Sequence, residues 1–283
     1  MQKPGHPHTH WLISHKLKYL FDEERIGATI SSLLRPISAE TQRLHNHDLR
    51  CDQQIDAIRP ETDPWGNQRQ CWEIRSRFRH LTLTARTTLE LLPHDEKDAP
   101  GASPPALCAE MAPSLRENSS LIWAWSSRYL PDTDVAPGAI EALMKGIKRD
   151  FAYDPAATAI GKPLEDIFLQ CRGACQDFAR LACAVLQARG TPTRYVIGYP
   201  FLQTRAGHVE LHAWFDAWLP DIGWRSYDSV LPEAQRIILA RAPRQEDIPV
   251  ISGSCEGVAC RQILTSEIAL RALPSGDMPE EIG

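Results

Sequence analysis

The stretch GACQDFARLACAVLQARGTPTRYVIGY, residues 173–199, joins the clearest predicted helix of the chain to a predicted strand. Its apolar residues recur at helical spacing: Phe178, Leu181, Ala182, Val185 and Leu186. That spacing predicts a helix with one apolar face, and Gly190 is suited to end it. The run PTRYVIGY after Gly190 is typical of a strand. The stretch therefore predicts an α-helix followed directly by a β-strand.

Cys175 lies at the start of this predicted helix, directly after Gly173 and Ala174. A helix start offers unpaired backbone N–H groups and the positive end of the helix dipole, so it stabilises a thiolate. A thiol nucleophile also needs a base, and imidazole titrates near neutral pH. His212, in the predicted strand ELHAWFDAWL, is the candidate. We therefore predict Cys175 as nucleophile and His212 as base.

Asp228 lies in WRSYDSV, which we predict to be the strand after the turn LPDIG. A hairpin centred on Pro220 places His212 and Asp228 opposite each other. A hairpin centred on Asp221 makes them diagonal neighbours, roughly 7–8 Å apart at the backbone. Either register lets the carboxylate orient the imidazole and stabilise its charged form.

The composition excludes several classes of function. The 283-residue chain carries a net charge of −5 with a pI near 6.1, so it has no basic excess for nucleic acid or an anionic membrane.

It lacks the run of about 20 apolar residues that spans a bilayer, and its start does not resemble a secretory signal. Its eight cysteines are too sparse for a disulfide scaffold. We expect a cytoplasmic protein whose thiols are mostly reduced.

Periodicity divides the chain into a tail at residues 1–11, a β-domain at 12–92, a linker at 93–118 and a core at 119–283. Partial apolar alternation predicts antiparallel strands in the β-domain, with DPWGN at residues 63–67 as a hairpin turn. The segment 93–118 is rich in Pro, Ala, Asp and Glu and has no sustained period. The core contains helical patterns and then strands. The predicted class is therefore α+β.

These residues resemble a known family. The block CQDFA at residue 175, the strand HAWFDAWLPDIGW at 212 and the final SYD at 226 are similar to the motifs of bacterial transglutaminase-like cysteine peptidases. The resemblance extends to FAYDPAAT, to DPWGN and LTLTART in the β-domain, and more faintly to QEDIPVISG. It implies a papain-like or transglutaminase-like core, with helices packed on an antiparallel sheet, behind an N-terminal β-domain.

By this resemblance Cys175, His212 and Asp228 are the nucleophile, the base and the orienting acid. The chain departs from the family pattern before the cysteine, where the family usually has Val and this chain has Ala174, and after Phe-Ala, where the family often has His and this chain has Arg180. It also departs after the aspartate, where Ser229-Val230 replaces Pro-Thr. None of these changes removes a reacting group. They bear on efficiency and on the choice of substrate.

The implied activity is acyl transfer from a protein or peptide substrate, most simply hydrolysis of an amide through a thioester. Two alternatives stay open at this point: amine-dependent cross-linking of proteins, and a catalytically silent binding module of the same fold. The chemistry requires no cofactor and no metal, and we predict neither.

Other reactive residue types receive structural interpretations. We predict Cys171 and Cys183 to be small core residues and Asp177 to complement the dipole of its helix. Trp214, Trp218 and Trp224 are expected to be packing residues more than cleft walls.

Three further groups are candidate metal ligands without a full ligand set. His6, His8 and His10 fall in the predicted tail, Cys255 and Cys260 fit no common zinc spacing, and two ligands alone, His45 and His47, seldom hold a metal. If both lie on one strand, these last two histidines are expected on the same side.

Overall fold

The computed structural model describes residues 10–92, 119–132, 135–157, 161–201, 207–220 and 222–273. The predicted linker and most of the predicted tail lie outside these residues, but His10 already begins the first strand. No helix among the described residues combines the length and the apolar composition that crossing a membrane requires.

The N-terminal region forms strands β1 to β6. They are β1 (His10–Arg25), β2 (Gly27–Ser32), β3 (Gln42–Cys51), β4 (Ala57–Thr62), β5 (Gln68–Ile74) and β6 (Phe78–Leu91). Strand β1 buries alternate residues, from Trp11 through Ile13 and His15 to Leu17, as a strand covered on one face should. The predicted DPWGN turn joins β4 to β5, with Thr62 opposite Gln68.

The second region contains four helices among the described residues, with a further sheet. The helices are α1 (Ser120–Ser126), α2 (Pro137–Asp150), α3 (Leu164–Gln170) and α4 (Cys175–Gln187). The remaining strands are β7 (Ala152–Tyr153), β8 (Arg172–Gly173), β9 (Thr193–Phe201), β10 (Gly207–Val209), β11 (His212–Leu219), β12 (Gly223–Tyr227), β13 (Gln235–Ala242), β14 (Ile251–Glu256) and β15 (Gln262–Leu273). The helix and strands predicted for residues 173–199 and 210–230 are present, but β12 ends at Tyr227, so Asp228 follows the strand on which it was predicted.

The last two strands return to the N-terminal sheets. β15 pairs with β1 and β14 pairs with β2, so the two N-terminal sheets have the orders β10-β15-β1-β6-β3 and β14-β2-β5-β4. The core sheet has the order β12-β11-β9-β13. The division at residues 93–118 stays a prediction, but the sheets cross it, because β14 and β15 belong to the predicted core and pair with N-terminal strands. The sequence does not predict this pairing, since residues 251–273 carry no local signal for a partner so distant in the chain.

Local sequence explains the helices that carry the site. Pro137 occupies the first turn of α2, where its missing N–H is harmless, and Ile140, Leu143 and Ile147 bury the apolar face. Helix α4 buries nearly its whole length, from Phe178 to Leu186, against β9 and β11. Packing of α4 on this sheet fixes where its first residue, Cys175, lies.

One structural interpretation from the sequence is wrong. Cys171 is exposed and is no core residue, because it ends α3 with φ of 48°, a left-handed conformation that turns its side chain out of the helix. Cys183, by contrast, is buried at 4% exposure, as predicted.

Candidate active site

The start of α4 is held in place by a buried carboxylate. Asp177 is fully buried, and its Oδ2 accepts a hydrogen bond of 2.9 Å from the backbone N–H of Ala174. A Cβ on residue 173 would lie 2.8 Å from the Cβ of Asp177, so glycine is required for this close approach. The structural role predicted for Asp177 is therefore observed, and it positions the backbone next to Cys175.

The segment before Cys175 is also fixed from outside the helix. Strands β7 and β8 pair in parallel: Ala152 N–H donates to Cys171 C=O at 2.8 Å and Asp154 N–H donates to Gly173 C=O at 2.9 Å. This pairing places Tyr153 beside Gly173. The backbone that leads into α4 is thus held both by the Asp177 carboxylate and by the pairing of β8 with β7.

His212 and Asp228 meet through the β11–β12 hairpin. Leu219 pairs with Gly223 and Phe215 with Tyr227, which is the diagonal register of the two that the sequence allowed. His212 begins β11 and Asp228 follows the end of β12. His212 Nε2 lies 2.7 Å from Asp228 Oδ2, and both side chains are buried.

The Asp228 carboxylate has further donors. Its Oδ1 accepts hydrogen bonds from the backbone N–H groups of Val230 at 2.8 Å and Leu231 at 3.0 Å. Arg236 Nη2 lies 3.2 Å from Oδ2. Burial alone would raise the pKa of Asp228, but the His212 hydrogen bond, followed by the nearby positive charges and backbone donors, lowers it. The carboxylate is held in its ionised form even though Ser229-Val230 replaces the family's Pro-Thr.

The Cys175 thiol lies close enough to the His212 imidazole to raise the pKa of that ring. Since Nε2 is engaged by Asp228, Nδ1 is the ring nitrogen left for the sulfur. Burial opposes a charge on His212, but the hydrogen bonds and charges of Asp228 and Cys175 outweigh it and raise the pKa of His212 to about 9. Cys175 is partly exposed whereas His212 is only 5% exposed, so a ligand from solvent meets the sulfur first.

Arg236 and Tyr153 are residues that the sequence reasoning missed. Arg236 reaches Asp228 from β13 and lies over the Trp214 ring at 5.6 Å. Tyr153 is half exposed near the thiol. Burial raises the pKa of Tyr153, and acidic neighbours raise it further: Cys175, Glu210 and Asp228. Tyr153 lies in the FAYDPAAT stretch, so the resemblance there was a signal that could have found it, whereas no local signal marks Arg236.

Trp214 lines the cavity beside Cys175, whereas the other tryptophans singled out in the sequence lie away from it. Trp218 and Trp224 pack edge to face at 5.6 Å, and Arg194 stacks on Trp224 at 3.9 Å. Cys260 accepts a hydrogen bond from Arg25 in the N-terminal region. All seven cysteines among the described residues are free thiols.

The expectation that His45 and His47 share one side is wrong. A β-bulge at His45 shifts the register of β3 against β6, so His47 bonds to Thr87 whereas His45 contacts Glu90 on the opposite face.

Two family models match the chain. The model of the transglutaminase-like superfamily matches residues 125–229, which include Cys175, His212 and Asp228. The model of the bacterial transglutaminase-like N-terminal region matches residues 12–90. Residues 125–229 therefore carry a transglutaminase-like core, and residues 12–90 carry the N-terminal region found in bacterial proteins with that core.

A solved structure confirms the fold class. A candidate cysteine protease from Cytophaga hutchinsonii superimposes with a TM-score of 0.74 at 16% identity, over 96% of this chain and 93% of that one. Likeness at this identity shows a shared fold, here an N-terminal β-region joined to a transglutaminase-like core.

Curated relatives cover the chain to different extents. An uncharacterized protein of Mycobacterium tuberculosis (strain ATCC 25618 / H37Rv) is 25% identical over 270 residues, or 85% of this chain and 86% of its own length. A protein-glutamine gamma-glutamyltransferase of Pseudomonas aeruginosa is 32% identical over 110 residues, or 33% of this chain and 16% of its own length.

Proposed function

We propose that the chain is a cysteine-dependent acyl-transfer enzyme that hydrolyses peptide or side-chain amide bonds through a thioester. The observation that carries this proposal is the buried 2.7 Å hydrogen bond from His212 to Asp228, with the Cys175 thiol close enough to the same imidazole to raise its pKa. A partly exposed sulfur, a base and an orienting carboxylate in contact are the parts that nucleophilic catalysis at a carbonyl requires.

In the first half of the reaction, the Cys175 proton passes to His212 and the thiolate attacks the amide carbonyl carbon. The C–N bond breaks, His212 returns the proton to the departing amine, and the acyl group stays on sulfur as a thioester. Backbone N–H groups at the start of α4 are the natural donors to the oxyanion. Asp228 holds the imidazole and stabilises its charge, and Arg236 keeps Asp228 in place.

In the second half, water attacks the thioester. His212 takes a proton from the water as the new C–O bond forms, and the C–S bond breaks to release a carboxylic acid and regenerate the thiol. Hydrolysis is favoured because water reaches any partly exposed thioester, whereas an amine acceptor requires a binding site of its own. The proposed substrate is a protein or peptide amide, as the resemblance to transglutaminase-like cysteine peptidases implies.

Amine-dependent cross-linking is the second candidate. It is favoured by the local likeness to a protein-glutamine gamma-glutamyltransferase over 33% of this chain. In that reaction a primary amine replaces water in the second half. A catalytically silent binding module is the third candidate, but the intact Cys175, His212 and Asp228 and the short His212–Asp228 hydrogen bond disfavour it.

The reactivity of Cys175 tests the proposal against the silent module. Cys171 is an in-chain control because it is more exposed than Cys175 and lies four residues away. A small alkylating probe at neutral pH should label Cys175 faster than Cys171, because only Cys175 has a base beside it. His212→Ala should remove this preference. Equal or slower labelling of Cys175 in the parent protein would support the binding module.

Product analysis separates hydrolysis from transfer. The protein is incubated with a glutamine-containing protein and a labelled primary amine, with Cys175→Ala as the matched control. We expect fragments or free carboxylates that depend on Cys175. Label incorporated into the acceptor protein, again dependent on Cys175, would identify a transferase instead.

A further inference from the structure

A second cluster of potential ligands lies outside the Cys175 site, on the outer face of the five-stranded sheet. His10, His45 and Glu90 each present one ligand atom, and these atoms all lie within 4.8 Å of one another. From this geometry we infer that the cluster is a site for a divalent transition-metal ion, with zinc as the best fit.

The backbone register brings the three side chains to one face. Glu90 lies on β6 directly opposite His10 of β1. Along β1 and β6 the alternate residues Trp11, Ile13, Leu83 and Leu89 are buried in the core, so His10 and Glu90 point to the other, outer face. The two therefore form a cross-strand pair at the accessible side of the sheet.

The β-bulge brings the third ligand. In β3, Leu44 pairs with Leu89 and Asn46 with Thr88, so His45 is the extra residue between them. A bulge redirects a side chain, and here His45 Nε2 lies 3.5 Å from Glu90 Oε2. The His45 ring also stacks on the His10 ring with centroids 5.6 Å apart. Without the bulge, the side chains of β3 would alternate strictly between the two faces of the sheet, and His45 would lie on the same face as His47.

Two imidazoles and one carboxylate match the preferences of zinc. Protein ligands bind Zn²⁺ at 2.0–2.2 Å, which puts tetrahedral ligand atoms roughly 3.4 Å apart. The His45–Glu90 separation of 3.5 Å is already near this value, and the His10 ligand atom lies within 4.8 Å of both, so a small side-chain movement would complete the set. The His45 and Glu90 side chains are 23% and 24% exposed, so an ion can enter and keep water in its open position.

One cation competes for Glu90. Arg43 Nη1 lies 3.6 Å from Glu90 Oε2, but the Arg43 side chain is 62% exposed. Exposed ion pairs of this kind contribute little, so zinc can displace Arg43 at small cost. Bound zinc would join the first residue of β1 to β6 and β3. The expected consequence is a metal-dependent gain in stability of the N-terminal sheet.

The test measures zinc binding to the untagged full chain by competition with a chromophoric chelator. Cys175→Ala is the background, because a thiol and an imidazole can themselves bind zinc. We expect one ion per chain, bound about 10- to 100-fold or more weaker in Glu90→Gln and in His45→Ala, since losing even a supporting partner of a ligand weakens metal sites by that factor. Saturating zinc should also raise the Tm of the parent but not that of Glu90→Gln.

Two controls separate this site from other binders. His80 lies 3.6 Å from Asp52 as an exposed histidine–carboxylate pair, so His80→Ala removes a similar group and should leave zinc affinity unchanged. The double substitution His6→Ala and His8→Ala tests the histidines that precede His10 in sequence. Arg43→Ala removes the cation that competes for Glu90, so it should keep or strengthen zinc binding. Stronger binding cannot result from misfolding, so this variant tests the role of Glu90 even if Glu90→Gln misfolds.

Three results would overturn the inference. One is undiminished affinity in both Glu90→Gln and His45→Ala. Another is loss of binding in the His6, His8 double variant with retention in Glu90→Gln, which would assign the ion to the N-terminal segment alone. The third is thiolate-to-metal charge-transfer absorption on loading with Co²⁺, which would assign the ion to cysteine.

Discussion

Two buried histidines lie in different regions of this protein and have opposite pKa shifts. His15 on β1 and His212 on β11 are 1% and 5% exposed. Burial lowers the pKa of His15 to about 4, whereas the Asp228 and Cys175 interactions overcome burial and raise the pKa of His212 to about 9. Desolvation acts on both rings in the same direction. The partners therefore decide the outcome.

The partners of His15 are neutral hydroxyls. Its Nδ1 lies 3.0 Å from Tyr199 Oη and its Nε2 lies 3.0 Å from Ser266 Oγ. This arrangement ties the N-terminal sheet to β9 of the core sheet through a neutral ring. His212 instead lies between a carboxylate and a thiol, so its charged form is stable and can exchange a proton. The same residue type is structural in one region and chemically equipped in the other.

Replacing the two histidines should have very different consequences for activity. With a chromogenic amide substrate, His212→Ala should lower kcat/KM by about 10⁴-fold or more, because the general base is lost. His15→Gln should retain most of the activity, since its ring only links two sheets. A His212→Ala variant that kept near-parental kcat/KM while remaining folded by circular dichroism would remove His212 from the mechanism.

Asp228→Asn should remove the carboxylate partner that raises the pKa of His212 and that His15 lacks. We expect kcat to fall by about 10²- to 10⁴-fold, because an amide neither fixes the reactive tautomer nor stabilises the imidazolium. Activity should also decline as the pH rises through the pKa of His212, near 9 in the parent. In Asp228→Asn this alkaline limb should move to lower pH. Measured pH–rate profiles check this, and an unmoved limb would show that Asp228 does not set it.

The two pKa shifts predict opposite pH dependences of the free energy of unfolding. His212, raised from 6.5 to about 9, contributes stability that is fully present below pH 6.5 and is lost as the pH rises through 9. His15, lowered from 6.5 to about 4, contributes stability that is present above pH 6.5 and is lost as the pH falls toward 4. Each contribution is on the order of 3 kcal/mol.

Urea unfolding across pH separates the two contributions. His212→Asn should flatten the dependence between pH 6.5 and 9 alone, and His15→Gln should flatten it between pH 4 and 6.5 alone. A change in the other pH range in either variant would contradict the assignment of these two pH dependences of the unfolding free energy to His212 and His15.

The smallest expected effect comes from giving His15 a carboxylate. Ser266→Asp places an acid where a hydroxyl now lies 3.0 Å from Nε2. The pKa of His15 should rise by roughly 1–3 units, the effect of one nearby opposite charge. Histidine ring signals followed by NMR across pH measure it. Ser266→Asn is the matched neutral control and should leave the pKa low, and an equal shift in both variants would contradict the charge explanation.

The sequence predicted the helix and strands around Cys175, His212 and Asp228 better than it predicted the assembly of sheets. The helix start at Cys175, the strand at His212 and the turn before Asp228 are local patterns, so periodicity and turn residues located them. The pairing of β15 with β1 joins positions at opposite ends of the chain, and no local pattern specifies such a partner. Arg236 was missed for the same reason, because its contact with Asp228 exists only across the folded sheet.

Cys171 and His45 show why single positions can escape sequence reasoning. Cys171 follows an apolar helix and looked like a core residue, but the chain turns there with φ of 48° and exposes it. His45 alternates with His47 in sequence, but one extra residue in β3 sends the two side chains to opposite faces. Backbone irregularities of this kind depend on how a segment packs and pairs in the folded chain, and the local sequence does not show this.

By itself, the sequence determined the α+β class, the helix that presents Cys175, and the order of cysteine, histidine and aspartate, because these depend on spacing along the chain. Only the tertiary structure decided the diagonal register of His212 and Asp228, the Arg236 support, and the gathering of His10, His45 and Glu90. These depend on contacts between strands distant in sequence. Contact and burial, which no linear pattern records, also decide whether a histidine is neutral or charged.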